Sequence, residues 1–182
     1  MRVVGFDPSL RNWGIAEAEL CLETGTLSDI YLQLASTIKS TTKSVRVNSS
    51  DLQRAEDLAQ AAIAAAKRAK VVFVEVPVGS QSANGMKSYG VCIGILGAIR
   101  SMGIPLIEVS PDEVKIAFTG NKLATKKQMI EKALEFYPDA NFPKHAGKIS
   151  ASKAEHLADA LASIHAGVNT QMFTTIMRMH KP

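Results

Sequence analysis

The chain has 182 residues, 46% of them apolar, and 21 lysines and arginines against 17 acids give a formal net charge of +4. That length suits one domain with a substantial core, and no apolar run is long enough to span a bilayer. The opening Met1-Arg2-Val3-Val4 lacks the apolar stretch of a signal peptide, and two cysteines, Cys21 and Cys92, make no disulfide framework, so the expected compartment is the cytoplasm.

Arg2 to Asp7 reads as a strand that Pro8 stops, because proline cannot donate to a ladder. Asn12 to Leu22 reads as a second strand, with Ala16, Ala18, Leu20 and Leu22 on a buried face and Glu17, Glu19 and Cys21 on a wetter one. A turn at Glu23–Thr26 leads to a third strand over Ile30 to Ile38, completing an antiparallel meander. Lys39 to Ser49 is polar and reads as a loop. Ser50 and Gln53 then cap a helix whose apolar positions are Leu52, Ala55, Ala59, Ala62, Ile63 and Ala66.

Val71 to Val76 is a continuous apolar run, the pattern of a strand covered on both faces. A helix before it implies a crossover, so this strand should run parallel to the first. A loop from Pro77 to Gly85 precedes a helix over Met86 to Met102, and Gly90, Gly94 and Gly97 fall near one face of it. Ile104 to Val109 is a fifth strand and Pro111 opens a helix at its first position. Thr119-Gly120-Asn121 breaks that helix, Thr125 to Phe136 resumes it, and Pro138 to Lys148 reads as an irregular basic loop. Between Ser110 and Lys153 stand eight lysines against five acids, the pattern of either a solvated face or a phosphate-facing one. A capping box at Ser152 and Glu155 opens the last helix, with Ala154, Leu157, Ala158, Leu161, Ile164 and Val168 on one face. The expected fold is α/β, a mixed five-stranded sheet of three antiparallel and two parallel strands with helices on both faces.

Glu75 is the polar residue in a strand expected to be buried, and an uncompensated buried carboxylate costs several kcal/mol, so it needs a partner or a cation. Asp7 ends the neighbouring strand, although an Asp before proline also suits a plain turn. His156 and Asp159 lie one helical turn apart on the rim of the last helix. The topology places all four groups on one side of the sheet. Three carboxylates and an imidazole suit a phosphodiester site with two divalent ions roughly 3.5–4 Å apart. Carboxylate oxygens favour Mg²⁺, and an imidazole makes Mn²⁺ acceptable as well. The helix N-terminus is expected to favour neutral His156, the form that can ligate, while Glu155 is accounted for by its cap.

GFDPSLRNWGIA, VFVEVP, VKIAFTG with ATKK, and HLADAL occur in that order over Met1 to about Gly167. Together they resemble the RuvC family of Holliday-junction resolvases, within the RNase H-like superfamily. The resemblance implies an RNase H-like nuclease domain over residues 1–168, followed by a C-terminal extension over 169–182. It implies a homodimer contacting through the Gly90–Gly97 helix, which binds four-way DNA junctions and cuts two opposed strands to leave 5′-phosphate ends. It makes Asp7, Glu75, His156 and Asp159 the Mg²⁺ ligands, and matches Lys115 and Lys126 to DNA-contacting positions, with Lys127 beside them. Val78 stands where many members carry an aromatic that stacks on a junction base. Two other readings remain open: a broader nuclease for flaps, forks or bubbles, and a junction-binding protein without catalysis.

Overall fold

The computed structural model describes residues 1–41 and 46–179. Five strands form the main sheet: β1 (Arg2–Asp7), β2 (Asn12–Leu20), β3 (Leu27–Ser36), β4 (Val71–Glu75) and β5 (Leu106–Val109), in the order β3-β2-β1-β4-β5. β1–β2 and β2–β3 pair antiparallel, while β1–β4 and β4–β5 pair parallel. The crossovers between the parallel strands are α1 (Val47–Arg68) and α2 (Ala83–Ser101), and both helices cover one face. On the opposite face lie α3 (Pro111–Thr119), α4 (Lys126–Phe136) and α5 (Ala151–Gly167), with a short hairpin of β6 (Lys144–His145) and β7 (Lys148–Ile149) leading into α5. The mixed α/β sheet expected from the sequence is therefore present. A last helix, α6 (Gln171–Met179), lays Phe173 into the same core, its ring 5.4 Å from that of Phe73.

Alternation along each strand splits the core in two. Val3, Val71 and Phe73 face α5, whereas Val4, Phe6, Trp13, Ile15, Val72 and Val74 face α1 and α2. α5 is the central helix, buried at Ala154, Leu157, Ala158, Ala160, Leu161 and Ile164 and on much of its remaining circumference. Two glycines let it approach so closely. A Cβ on Gly5 would stand 2.0 Å from the Ala160 carbonyl oxygen, and one on Gly14 would stand 2.0 Å from the His156 carbonyl oxygen. Any larger residue at either position forces the helix off the sheet.

Several local expectations are corrected. β2 ends at Leu20, and Leu22 lies exposed in the turn. Glu17 is 2% exposed, because Arg68 at the end of α1 grips both its carboxylate oxygens (3.0 and 2.6 Å) and Arg2 adds a third contact at 3.1 Å. The face expected to be wet is thus closed by an ion-pair cluster. α1 begins at Val47 and not at Ser50, whose hydroxyl sits inside the helix and accepts the Ser40 N–H. Its inner face carries Leu58, Ala62, Ala65 and Ala66, leaving Leu52 exposed. Residues 42–45 of the expected 39–49 loop, and 180–182 of the C-terminal extension, lie outside the described residues. α5 starts at Ala151 with no side-chain cap, so the Ser152–Glu155 capping box does not form.

Burial alone would raise the Glu17 pKa, but hydrogen bonds and charge from Arg68 and Arg2 outweigh that and hold it below its ordinary value. Its contribution is therefore present above the ordinary carboxylate range and lost as the pH falls through the lowered value. Glu17→Gln should cost about 1–3 kcal/mol at pH 7. Urea denaturation should show that cost shrinking towards zero at acid pH; a cost that stays constant would contradict the ion-pair account.

Candidate active site

Asp7 and Glu75 are the last residues of the adjacent parallel strands β1 and β4, one step beyond the Phe6–Val74 pair. The alternation that points Val3, Val71 and Phe73 at α5 points Asp7 and Glu75 the same way. α5 supplies His156 and Asp159 from successive turns. Because the His156 backbone rests on Gly14, which is paired with Asp7 across β1 and β2, the imidazole is held over the Asp7 carboxylate. His156 Nδ1 donates to Asp7 Oδ2 at 2.6 Å, and both side chains are about four-fifths buried. The four acidic and imidazole groups singled out in the sequence therefore do meet at one edge of the sheet.

Their charges are unbalanced. Burial, then repulsion from Asp7 and Asp159, pushes Glu75 up to about 8 from an ordinary 4.5, although Lys115 eases the repulsion. Burial and the Asp7 charge push Asp159 up to about 7, with His156 and Lys126 opposing them. Burial tends to lower the His156 pKa, yet the hydrogen bond it donates to Asp7 and the charges of Asp7, Glu155 and Asp159 raise it above its ordinary value. The expectation that the helix N-terminus would favour neutral His156 is therefore overturned by the nearby carboxylates.

The lysines divide. Lys126, in the first turn of α4, reaches Glu155 at 2.9 Å and so stands on the rim of the acidic cluster. Lys115 on α3 is near enough to ease Glu75 electrostatically. Lys127 turns away to Glu131 at 3.6 Å. Two further residues belong to the site: Asn12, which no sequence pattern singles out, and Glu155, which its spacing from Ser152 assigns to a cap. The Asn12 amide lies 3.4 Å from His156 Nε2 and is itself held by Ser36 at 3.0 Å. Glu155, freed from its supposed cap, lies 3.6 Å from His156 Nε2 and carries the Lys126 pair. Adjacency to His156 was the signal for Glu155, and the better-placed Ser152 masked it.

The donor set fits hard divalent cations: excess carboxylate charge, partly buried, with an imidazole beside it. As the side chains stand, no three His, Cys, Asp or Glu groups among the described residues form a ready cage for one ion. The reason is visible at Asp7, whose carboxylate is engaged by the His156 N–H; a cation there would displace that proton.

No protein-family model matches the chain. A stretch of 38 residues, 21% of this chain, is 53% identical to part of a crossover junction endodeoxyribonuclease RuvC from Anaeromyxobacter sp. (strain Fw109-5), and spans 18% of that relative. The whole chain superposes on T. thermophilus RuvC in complex with a Holliday junction substrate, with a TM-score of 0.64 at 20% identity, covering 100% of this chain and 99% of that one. The chain has the fold of RuvC. A second T. thermophilus RuvC structure gives 0.60 at 19% identity over 97% of each chain. The Fowlpox virus resolvase, in complex with its substrate Holliday junction DNA, gives 0.56 at 15% identity with full coverage of both chains. The RuvC-like fold accounts for the strand order and for a central helix packed on β1 and β4.

The raised carboxyls make a pH dependence. A carboxyl whose folded pKa is raised holds its proton more tightly in the folded chain. Stability is then greatest below the ordinary values of 3.8 and 4.5 and is lost as the pH rises through about 7 and 8. His156 acts in the same sense, losing its contribution as the pH rises through its raised value. Buried His165, lowered to about 4, acts oppositely but only below its ordinary 6.5. In EDTA, the thermal midpoint should fall between about pH 6.5 and pH 8, and Glu75→Gln should fall less over that interval. A midpoint that rises there in both proteins would contradict the crowding.

Proposed function

We propose that the protein is a metal-dependent, structure-specific endonuclease that resolves four-way DNA junctions by symmetric phosphodiester hydrolysis, leaving 5′-phosphate ends. The observation that carries this reading is the gathering of Asp7, Glu75, His156 and Asp159, with the Glu75 and Asp159 carboxyls pushed up to about 8 and about 7 by burial first and by neighbouring carboxylates second. Such a cluster opposes folding unless a cation compensates it. The structural relatives captured on Holliday junctions support the choice of substrate. No helix among the described residues is long and apolar enough to cross a membrane, and the free thiols Cys21 and Cys92 suit a reducing cytoplasm. Residues 1–168 would form the nuclease unit, with the extension beyond them lending Phe173 to its core.

Asp7, Glu75, His156 and Asp159 would hold two Mg²⁺ ions, or Mn²⁺, which when bound supply activation of the attacking water and stabilisation of the leaving oxygen. The Asn12 amide lies beside the His156 ring, and Gly14 lets the His156 backbone close on the sheet, so the two together position the imidazole. Lys126 and Lys115 place positive charge beside the acids, where a strand's phosphates must pass. Lys127, paired on α4, adds a weaker long-range attraction. Asp7→Asn, Glu75→Gln and Asp159→Asn should each reduce cleavage of a synthetic four-way junction by at least about a hundredfold while leaving binding near wild type, since affinity comes mainly from cationic contacts. His156→Asp should retain activity and shift preference towards Mg²⁺. Normal cleavage by Glu75→Gln would overturn the assignment.

The outer face of α2 supports a homodimer. Outside its chain neighbours and the nearby backbone of α2, a Cβ at Gly90, Gly94 or Gly97 meets nothing within 4 Å, so these glycines are not explained by packing on the chain's own sheet. Small residues let a second backbone approach. Gly94→Leu should give a folded monomer by light scattering; a monomeric wild type would contradict the dimer.

A second reading, towards broader branched DNA, is favoured by Val78. It is 75% exposed on the β4–α2 loop, and the neighbouring Met86 sulfur is engaged by the Ser80 N–H at 3.3 Å. Valine lacks the flat face that makes base stacking worth about 1–3 kcal/mol. Forks, flaps and bubbles, whose bases are already unpaired, should be cut relatively well, and Val78→Phe should favour the intact junction over a fork. Strong preference for one or two central dinucleotides, with forks uncut, would sink this reading.

A further inference from the structure

On the face opposite α5, the turn after β1, the end of β3 and the helices α1 and α2 line an open cavity of about 470 Å³. Its wall carries four cations, Arg11, Lys39, Arg54 and Lys87, with the hydroxyls of Thr37 and Ser88 between them. One of these cations is built into the fold. The Arg54 side chain is 11% exposed and donates to the Thr37 hydroxyl at 3.0 Å and to the Leu10 carbonyl at 3.2 Å. Leu10 is fixed in turn: its N–H donates to the Ser88 hydroxyl at 3.2 Å, and its carbonyl also accepts the Thr37 hydroxyl at 2.5 Å. The compensating charge is thin. Asp51 is shared between Lys87 at 2.8 Å and Arg54 at 3.5 Å and also feels the Lys39 charge, although among the described residues no carboxylate lies within ion-pair distance of Arg11 or Lys39.

A positively charged concavity with low-dielectric walls concentrates potential for an anion in a way that scattered surface lysines do not. Its place in the fold says which anion. The wall begins at Ser9, two residues past Asp7, so at most about 7 Å of backbone separates the two. That is about two phosphate steps along a B-form strand. A strand that rounds this end of the sheet, from the acids on the α5 side towards α1 and α2, would meet the cavity next.

We propose that this cavity binds a backbone phosphate of the DNA strand as it runs out of the active site, fixing the strand's register a few nucleotides from the cut. The proposal rests on the nuclease reading above. Arg11 and Lys39, neither of them ion-paired among the described residues, are the charges that contact the phosphate, and Arg54 is the anchored charge behind them.

The test uses the full-length protein and a four-way junction in EDTA, so that binding is read without cleavage. Arg11→Ala/Lys39→Ala should lower the log–log salt slope of binding by about one, the share of the one phosphate the two cations hold. A methylphosphonate, which removes one backbone charge, is then moved through the phosphates within about five steps of the cut. Wild type should lose affinity at one of these positions beyond the acidic cluster, and the double variant should lose nothing further there. An unchanged slope in the variant, or an equal loss in both proteins at every position, overturns the cavity assignment while junction binding by wild type leaves the nuclease reading standing. Tight binding of a free mononucleotide, abolished in the double variant, would make the cavity a nucleotide site and overturn the strand assignment. A wild type that neither binds nor cuts branched DNA would reject the nuclease reading and the proposal with it.

Discussion

The contact between the α5 backbone and two glycines in the sheet governs the rest of the structure. With no side chain at Gly5 or Gly14, the Ala160 and His156 carbonyls rest directly on β1 and β2. That distance sets where His156 and Asp159 fall relative to the ends of β1 and β4. It also leaves no room between helix and sheet for water, so the carboxylates of Asp7, Glu75 and Asp159 are gathered in a poorly solvated corner. The Phe73 ring makes the same demand further along α5, at Gly167, where a Cβ would stand 2.0 Å away. The helix is thus located at three points by missing side chains.

Such closeness is costly for charge. Removing carboxylates from water and placing them beside one another costs several kcal/mol unless protons or cations compensate. The fold contains both kinds of answer. Glu17 is compensated permanently, by Arg68 and Arg2, and its pKa is lowered. The Asp7–Glu75–Asp159 cluster is compensated only in part, by a hydrogen bond from His156 and by Lys115 and Lys126 at the rim, and the pKa values of Glu75 and Asp159 are raised. A structural acid and a candidate ligand acid can be told apart on this ground. One has its counter-charge supplied by the chain, and the other leaves a demand that protons or a cation must meet.

Much of this was legible in the sequence because the signals were periodic or chemically conspicuous. A continuous apolar run with one carboxylate at its end identified β4 and Glu75, and the spacing of His156 and Asp159 placed them on one helix rim. The sheet order followed from a meander and two crossovers. What was not legible depended on long-range partners. Glu17 reads as a solvent-facing strand residue until Arg68, 51 positions away, closes over it. Ser152 and Ser50 have the spacing of caps, but tertiary contacts start each helix earlier. Glu155 was thereby credited to a cap when its carboxylate belongs to the Lys126 and His156 contacts. The Asn12 amide owes its place to the register of β2 against β3 and α5, which no local pattern reports.

The central claim is that the acidic corner is an unmet demand for divalent cation. Calorimetric titration of the protein with Mn²⁺ at pH 7, in buffers of different ionisation enthalpy, tests it most directly. The account predicts saturable binding of about two ions per chain, accompanied by proton release because Glu75 near 8 and His156 must give up protons to ligate. Glu75→Gln should weaken binding and reduce the proton release. Absence of saturable binding, or binding of the same strength and with the same proton count in Glu75→Gln, would contradict it.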